Sequence, residues 1–135
     1  MRFFVGVLLF VIGGVVFAGE FVPGVAVADA GNITDPGKDK FYAFYIPAGT
    51  SLESILPEMM KNLSQAAKAK ANLAVIGPDY TLSAKILKTA FQAAPKSSLE
   101  GATVLYVNGG ESVDDLKSAA APTGAIFRAT KYSGK

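Results

Sequence analysis

Three short segments of the sequence combine glycine with hydroxyl, acidic or amide side chains, a composition suited to holding a small anion. They are residues 47–51, 77–81 and 108–112. Each follows a short apolar run and precedes a segment with helical spacing, so its backbone N–H groups would lie at a helix N-terminus, which favours negative charge. The residues that would form such a binding site are Gly49, Thr50, Ser51, Asp79, Thr81, Asn108, Gly109 and Gly110.

Helix capping explains the same residues without any ligand. Thr50 with Glu53 matches a capping box, and Ser112 with Asp115 resembles one. Asp79 precedes a helical segment and suits an N-cap position. None of the three segments has the full glycine pattern of a dinucleotide-binding or P-loop protein, so the sequence predicts no cofactor.

The residue types that are missing exclude several kinds of catalysis. The chain has no Cys and no His, which rules out thiolate nucleophiles, Ser-His-Asp triads and imidazole or thiolate metal ligands. The remaining candidates are the carboxylates of Asp79, Glu111, Asp114 and Asp115. Paired carboxylates can perform acid–base chemistry or hold a divalent cation. No spacing here requires a metal, so we predict no metal site, and a carboxylate-based hydrolase is the weakest of the functional alternatives.

Charge is distributed unevenly along the chain. Residues 59–99 contain six lysines and one acid, whereas residues 100–115 contain four acids and no base. A basic helical surface of this kind can meet an acidic protein partner or an anionic membrane surface. The lysines assigned to that surface are Lys61, Lys68, Lys70, Lys85 and Lys88.

The alternative is that these lysines only solvate the outer faces of amphipathic helices. Nucleic acid is not an expected partner. The chain has no arginine cluster, and Arg128 is the only arginine beyond Arg2.

The N-terminus has the layout of an export signal. Arg2 precedes an uncharged, mostly apolar run over residues 3–19 that ends at Glu20. Val16-Phe17-Ala18 and Ala26-Val27-Ala28 both place small residues where cleavage requires them. A retained membrane anchor is the alternative, because about 17 apolar residues is the lower limit for spanning a bilayer. A buried N-terminal core helix is a third.

Both of the first two interpretations place the rest of the chain outside the cytoplasm, in the periplasm or secreted and possibly tethered to the inner membrane. The absence of cysteine favours a bacterial envelope protein over a disulfide-bearing secreted domain.

The predicted organisation is a signal or anchor over residues 1–28, a linker over 29–39 and one small α/β domain over 40–135. Apolar runs predict strands at 41–46, 73–76, 103–107 and 125–132, and helical spacing predicts helices at 51–71, 80–94 and 112–120. This β-α-β-α-β-α-β alternation predicts a four-stranded, mainly parallel open sheet of Rossmann-like or flavodoxin-like type. In the alternative α+β arrangement, the first or last strand pairs antiparallel.

The sequence as a whole favours a non-catalytic accessory or protein-binding subunit of a bacterial cell-envelope assembly. The alternative is an extracytoplasmic protein that binds a small anion at the three strand-to-helix loops. This preference follows mainly by elimination, because the lysine-rich helices and the export segment are the only positive signals.

Overall fold

The computed structural model describes residues 7–10, 21–110 and 112–134. Its elements form an α/β protein with a parallel sheet, which confirms the predicted class. In chain order they are β1 Val7–Phe10, α1 Pro23–Gly31, β2 Phe41–Tyr45, α2 Leu52–Ala69, β3 Asn72–Ile76, α3 Tyr80–Ala93, β4 Thr103–Asn108, α4 Val113–Ala120 and β5 Ile126–Lys131. A short 3-10 helix, Ala121–Thr123, follows α4.

The strands follow one another across the sheet in sequence order, β1-β2-β3-β4-β5, and every neighbouring pair is parallel. The antiparallel alternative for an end strand is therefore wrong. A Rossmann-like or flavodoxin-like sheet reverses its strand order at one point, and ligands bind in the crevice that this reversal opens. The sequential order observed here contains no reversal, so the described sheet has no crevice of that kind.

Each face of the sheet is covered by a different set of helices. On one face, Phe44, Val75, Val104 and Tyr106 pack against α2, α3 and α4. On the other face, small and aliphatic side chains pack against Ala26 and Ala30 of α1; they include Ala43, Ala74, Ile76, Leu105 and Val107. The strands β3 and β4 are buried along their whole length, which explains why their sequences read as nearly continuous apolar runs.

The helix α1 departs from the sequence-based expectation. Residues 21–28 were assigned to the signal or anchor, yet Pro23 opens α1 at its first position, where its missing N–H costs no hydrogen bond. The expected linker over 29–39 begins as the last turn of α1 and continues as turns bound to the sheet. Arg128 Nη1 donates to the carbonyl oxygens of Ile33 and Thr34 at 3.2 and 2.9 Å.

Most of the expected export segment lies outside the described residues. Of residues 1–20, the structure describes only Val7–Phe10, which pairs in parallel with residues 41–44 of β2. Within the described part of the chain, no helix combines the length and the apolar character needed to cross a membrane. The signal or anchor therefore stays a prediction from the sequence.

The three crossover helices lie close to their predicted positions. The apolar stripe of α3 is buried as expected, with Ile86, Leu87, Ala90 and Phe91 facing the core. The helix α2 continues through Pro57, although a proline inside a helix usually kinks or breaks it. The helix α4 stops at Ala120, before Pro122, in agreement with the sequence.

Replacing Gly77 with alanine tests how closely β2 and the end of β3 approach. A Cβ atom at Gly77 would lie 2.5 Å from the carbonyl oxygen of Ile46 and 3.0 Å from Ser83 Oγ. We expect Gly77→Ala to lower the free energy of unfolding by about 1–3 kcal/mol, as overpacking does. Urea denaturation measures this change.

Gly24→Ala is the matched control for that substitution. No atom lies within 4 Å of the position that its Cβ would occupy, and alanine is the better helix former by about 0.5–1 kcal/mol. Its stability should be unchanged or slightly raised. Equal effects of the two substitutions would contradict the close approach at Gly77.

Candidate functional site

The three predicted binding loops lie at the same edge of the sheet, because parallel strands end there together. The first two meet where Gly77 lies against the carbonyl oxygen of Ile46, at the end of β2. The second and third meet where Gly109 lies against the ring of Tyr80. Tyr106 also donates from its hydroxyl to the carbonyl oxygen of Tyr80 at 3.3 Å. The sequence therefore placed these loops together correctly.

The hydroxyl and carboxylate groups of the first two loops cap helices or close turns. Ser51 Oγ accepts a hydrogen bond from the Ser54 N–H at 3.2 Å, so Ser51 rather than Thr50 is the N-cap of α2. Thr50 Oγ1 instead donates to the carbonyl oxygen of Pro47 at 2.7 Å. Asp79 Oδ1 accepts from the Leu82 N–H at 3.0 Å and caps α3 as predicted. Thr81 is exposed beside it.

The third loop is held by its own asparagine. Asn108 is buried, and its Nδ2 donates to the carbonyl oxygens of Tyr106 and Thr130 at 3.4 and 3.5 Å. Its Oδ1 accepts from the Gly110 N–H, and Gly110 has a φ of 103°. Ser112, expected to cap α4, makes no side-chain capping bond. These contacts explain the polar residues of the loop as the means of closing a tight turn.

Of the carboxylates proposed for catalysis, Glu111 lies outside the described residues, and Asp79, Asp114 and Asp115 do not come together as one site. Asp79 caps α3, and Asp115 Oδ2 lies 3.0 Å from Lys88 Nζ. Within the described residues, no three acidic side chains come together as metal ligands would.

The edge of the sheet where the three loops lie also carries contacts between residues from the two ends of the described domain. The ring of Tyr132 stacks on Phe21 with centroids 4.9 Å apart, and its hydroxyl oxygen accepts from the Val22 N–H at 2.8 Å. Ser133 donates to the Asp29 carboxylate from both its N–H and its hydroxyl, at 2.8 and 2.7 Å. Sequence reasoning missed this arrangement because it assigned residues 21–28 to the export segment.

Two tyrosines near this edge have a raised pKa. Burial raises the pKa of the Tyr45 hydroxyl. Burial, followed by the charges of Tyr132 and Asp29, raises the pKa of Tyr80. Both phenols therefore stay protonated at neutral pH and can act only as neutral hydrogen-bonding groups.

A second polar cluster lies at the opposite edge of the sheet and was not predicted. Lys38 Nζ donates to Asp35 Oδ2 at 2.9 Å and to Thr103 Oγ1 at 2.8 Å. Asn72 Oδ1 accepts from the Asp35 N–H at 2.8 Å. The hydrogen bond from Lys38, followed by the bond from the Gly37 N–H, holds the pKa of Asp35 below its usual value of 3.8.

This cluster holds residues 35–38 against the starts of β3 and β4. Asn72 and Thr103 are opposite each other in neighbouring strands. A sequence signal for the cluster does exist, since each is a buried polar residue that opens an otherwise apolar strand. Its partners, Asp35 and Lys38, could not be assigned because they lie in the segment interpreted as a linker.

The lysines predicted to form a basic surface lie on the neighbouring helices α2 and α3 or, for Lys70, at the end of α2. Lys61, Lys68 and Lys85 are exposed, and Lys70 ends α2 in the left-handed conformation with a φ of 53°. Lys88 differs from the other four because it is paired with Asp115. Within the described residues, Lys61, Lys68, Lys70 and Lys85 have no carboxylate at ion-pair distance.

An apolar notch of about 150 Å³ lies between α2 and the end of α3. Its lining residues are Met60, Leu63, Ser64, Ala90, Ala94, Pro95, Ser98 and Leu99. Lys61 and Lys68 are seven residues apart and therefore project from the same face of α2, with Ser64 between them. The notch is thus bordered by two exposed lysines.

Comparisons of the chain with protein-family models, with curated proteins and with solved structures find no match. Any function therefore has to be argued from the residues and contacts described above.

Replacing Asp79 with alanine distinguishes a helix cap from a ligand-binding residue. Loss of an N-cap lowers the free energy of unfolding by about 1 kcal/mol, and we expect that result for Asp79→Ala. Thr81→Ala, at an exposed neighbouring position, should stay within about 0.5 kcal/mol of the original protein. A rise in stability on losing Asp79 would contradict the capping role, since residues kept for binding often cost stability.

Replacing Asp35 with asparagine tests the second polar cluster through its pH dependence. Because the pKa of Asp35 is lowered by folding, its carboxylate stabilises the protein above the unfolded pKa of 3.8, and this contribution is lost as the pH falls through the folded pKa. As the pH is lowered from about 5 to about 3, we expect the thermal unfolding midpoint of Asp35→Asn to fall less steeply than that of the original protein. Asp39→Asn, an exposed neighbour outside the cluster, should keep the original slope. Identical slopes for Asp35→Asn and the original protein would contradict the assignment.

Proposed function

We propose that this protein is a non-catalytic binding subunit that recognises an acidic protein partner on the outer side of a bacterial cytoplasmic membrane. The outer surface of α2 and α3 forms the binding surface. The observation that carries the proposal is the apolar notch of about 150 Å³ bordered by Lys61 and Lys68, two exposed lysines with no carboxylate at ion-pair distance among the described residues.

The size of the notch suits a side chain from a partner better than a free small molecule. Pockets for small-molecule ligands usually enclose about 300–1,000 Å³, whereas this notch measures about 150 Å³. It can receive one apolar side chain, and a filled, water-excluding pocket of that kind supplies much of the binding energy at protein interfaces.

The lysines add selectivity for a negatively charged partner. Exposed charges contribute more to the rate of encounter and to the choice of partner than to affinity itself. Lys61 and Lys68 border the notch from the same face of α2, so acidic residues on both sides of an apolar anchor would complement them. A lipid headgroup surface would satisfy the lysines but would leave the notch without a specific occupant, which favours a protein partner.

The alternative functions have less support from the described contacts. Asp79 and Asp115 are engaged in a cap and an ion pair, which argues against carboxylate catalysis. Asn108 and Ser51 are used for a turn and a helix cap, which argues against the anion-binding alternative. The location outside the cytoplasm is supported only by the layout of residues 1–20.

Photocrosslinking in intact cells tests the proposed surface. A photoreactive phenylalanine analogue at position 64 should produce a defined crosslinked product with one partner. Reversing two charges, Lys61→Glu with Lys68→Glu, should reduce that product by about tenfold or more, since about 1.4 kcal/mol lost from binding corresponds to a factor of ten. The measurement is the intensity of the crosslinked band at equal protein level.

The helix α4 provides matched controls, because Lys117 and Ser118 are also exposed. Lys117→Glu should leave the product from position 64 unchanged, and the photoreactive residue at position 118 should not form it. Equal products from positions 64 and 118, or a product insensitive to the two reversals, would overturn the proposal. Binding to anionic vesicles that depends on Lys61 and Lys68, without a protein crosslink, would replace the protein partner with a membrane surface.

A further inference from the structure

We infer that α1 is part of the mature folded protein and that any maturation cleavage falls on the N-terminal side of Phe21, not after Ala28. This inference rests on the exported location included in the proposed function. The contacts made by residues 21–31 argue against cleavage at the second of the two patterns, Ala26-Val27-Ala28.

The first support is the position of Ala26 within the core. Ala26 and Ala30 are fully buried, and α1 covers the sheet face formed by Ala43, Ala74 and Leu105. A chain beginning at Asp29 would lose Ala26 and all but the last turn of α1. The apolar face beneath would then be exposed to water, which is unfavourable in proportion to its area.

The second support is the set of contacts on the N-terminal side of α1. Phe21 stacks on Tyr132, and the backbone N–H of Val22 donates to the Tyr132 hydroxyl at 2.8 Å. Within α1, Asp29 accepts two hydrogen bonds from Ser133. Bonds to the C-terminal residues of the domain therefore begin at Phe21 and continue along the helix, so the folded body includes this whole segment.

The third support is that α1 packs against β3, β4 and β5, three strands that follow it in the chain. All crossovers advance in the same direction across the sheet, but α1 lies on the face opposite α2, α3 and α4. The crossover through α1 therefore has the opposite hand to the other three, whereas about 98% of such crossovers share one hand. Since α1 packs against β3, β4 and β5, its place in the core does not depend on β1.

The same packing explains one of the two small residues that give residues 26–28 the pattern of a cleavage site. Close approach of a helix to a sheet requires small side chains at the contact, and Ala26 meets that requirement with no exposed surface. Ala28 is exposed on the outer side of α1. Packing against the sheet therefore accounts for the small side chain of Ala26 without any need for cleavage, and Ala28 takes no part in that packing.

Intact mass of the full chain, expressed in bacteria with its own N-terminus, provides the first test. The accumulated protein should retain Phe21, whether the segment before it has been removed or kept as an anchor. A folded product that lacks Phe21, above all one beginning at Asp29, would overturn the inference.

Two aspartate substitutions in the full chain provide the second test. Both would block cleavage after Ala28, but only one of them should disturb folding. Cleavage after Ala28 requires small residues at both positions 26 and 28, so Ala26→Asp and Ala28→Asp would both block it. If α1 belongs to the core, Ala26→Asp should lower the thermal unfolding midpoint by more than about 10 °C or abolish accumulation, since it buries an unpaired charge. Ala28→Asp should be cleaved at the same position as the original protein and should have the same midpoint.

A change in the cleavage position caused by Ala28→Asp would overturn the inference, as would equal stability of the two variants. These outcomes are separate from failure of the proposed function. A chain that stays in the cytosol would refute the exported location, yet the difference between the two substitutions would still report whether α1 belongs to the core.

Discussion

The need to cover both faces of a parallel sheet governs this structure. The crossovers from β2 to β5 advance in sequential order with one hand, so their helices α2, α3 and α4 all lie on the same side of the sheet. The other face carries Ala43, Ala74, Ile76, Leu105 and Val107 and would face water without an additional element. The helix α1 supplies that cover, and its small residues allow it to lie close to the sheet.

The same topology shapes the candidate sites. Without a reversal of strand order, the carboxyl edge of the described sheet has no crevice of the kind that a reversal opens, and Ser51, Asp79 and Asn108 serve there in caps and a turn. A concave surface lies between α2 and the end of α3, where Met60 and Leu63 line a notch beside exposed lysines. The features most suited to recognition are therefore on the helical layer, away from the edge where parallel sheets usually bind ligands.

The sequence predicted the elements of residues 41–131 well because their signals are local. Helical spacing identified the buried face of α3, and runs of apolar residues identified β3 and β4. The short loops identified Asp79 as a cap. Strand order was predicted less well, because the Rossmann-like and flavodoxin-like orders differ from the observed one only through contacts that are distant in sequence. The role of Ala26 was missed for the same reason, since its partners lie in strands that follow much later.

The packing of α1 also has a consequence for how the chain folds during synthesis. This helix is made before β3, β4 and β5, against which it packs, and Phe21 and Val22 bind Tyr132 across about 110 residues. Contacts between distant parts of a chain form slowly, because a large loop must close first. The helix α1 must therefore wait, with its apolar side uncovered, until β3, β4 and β5 have followed it.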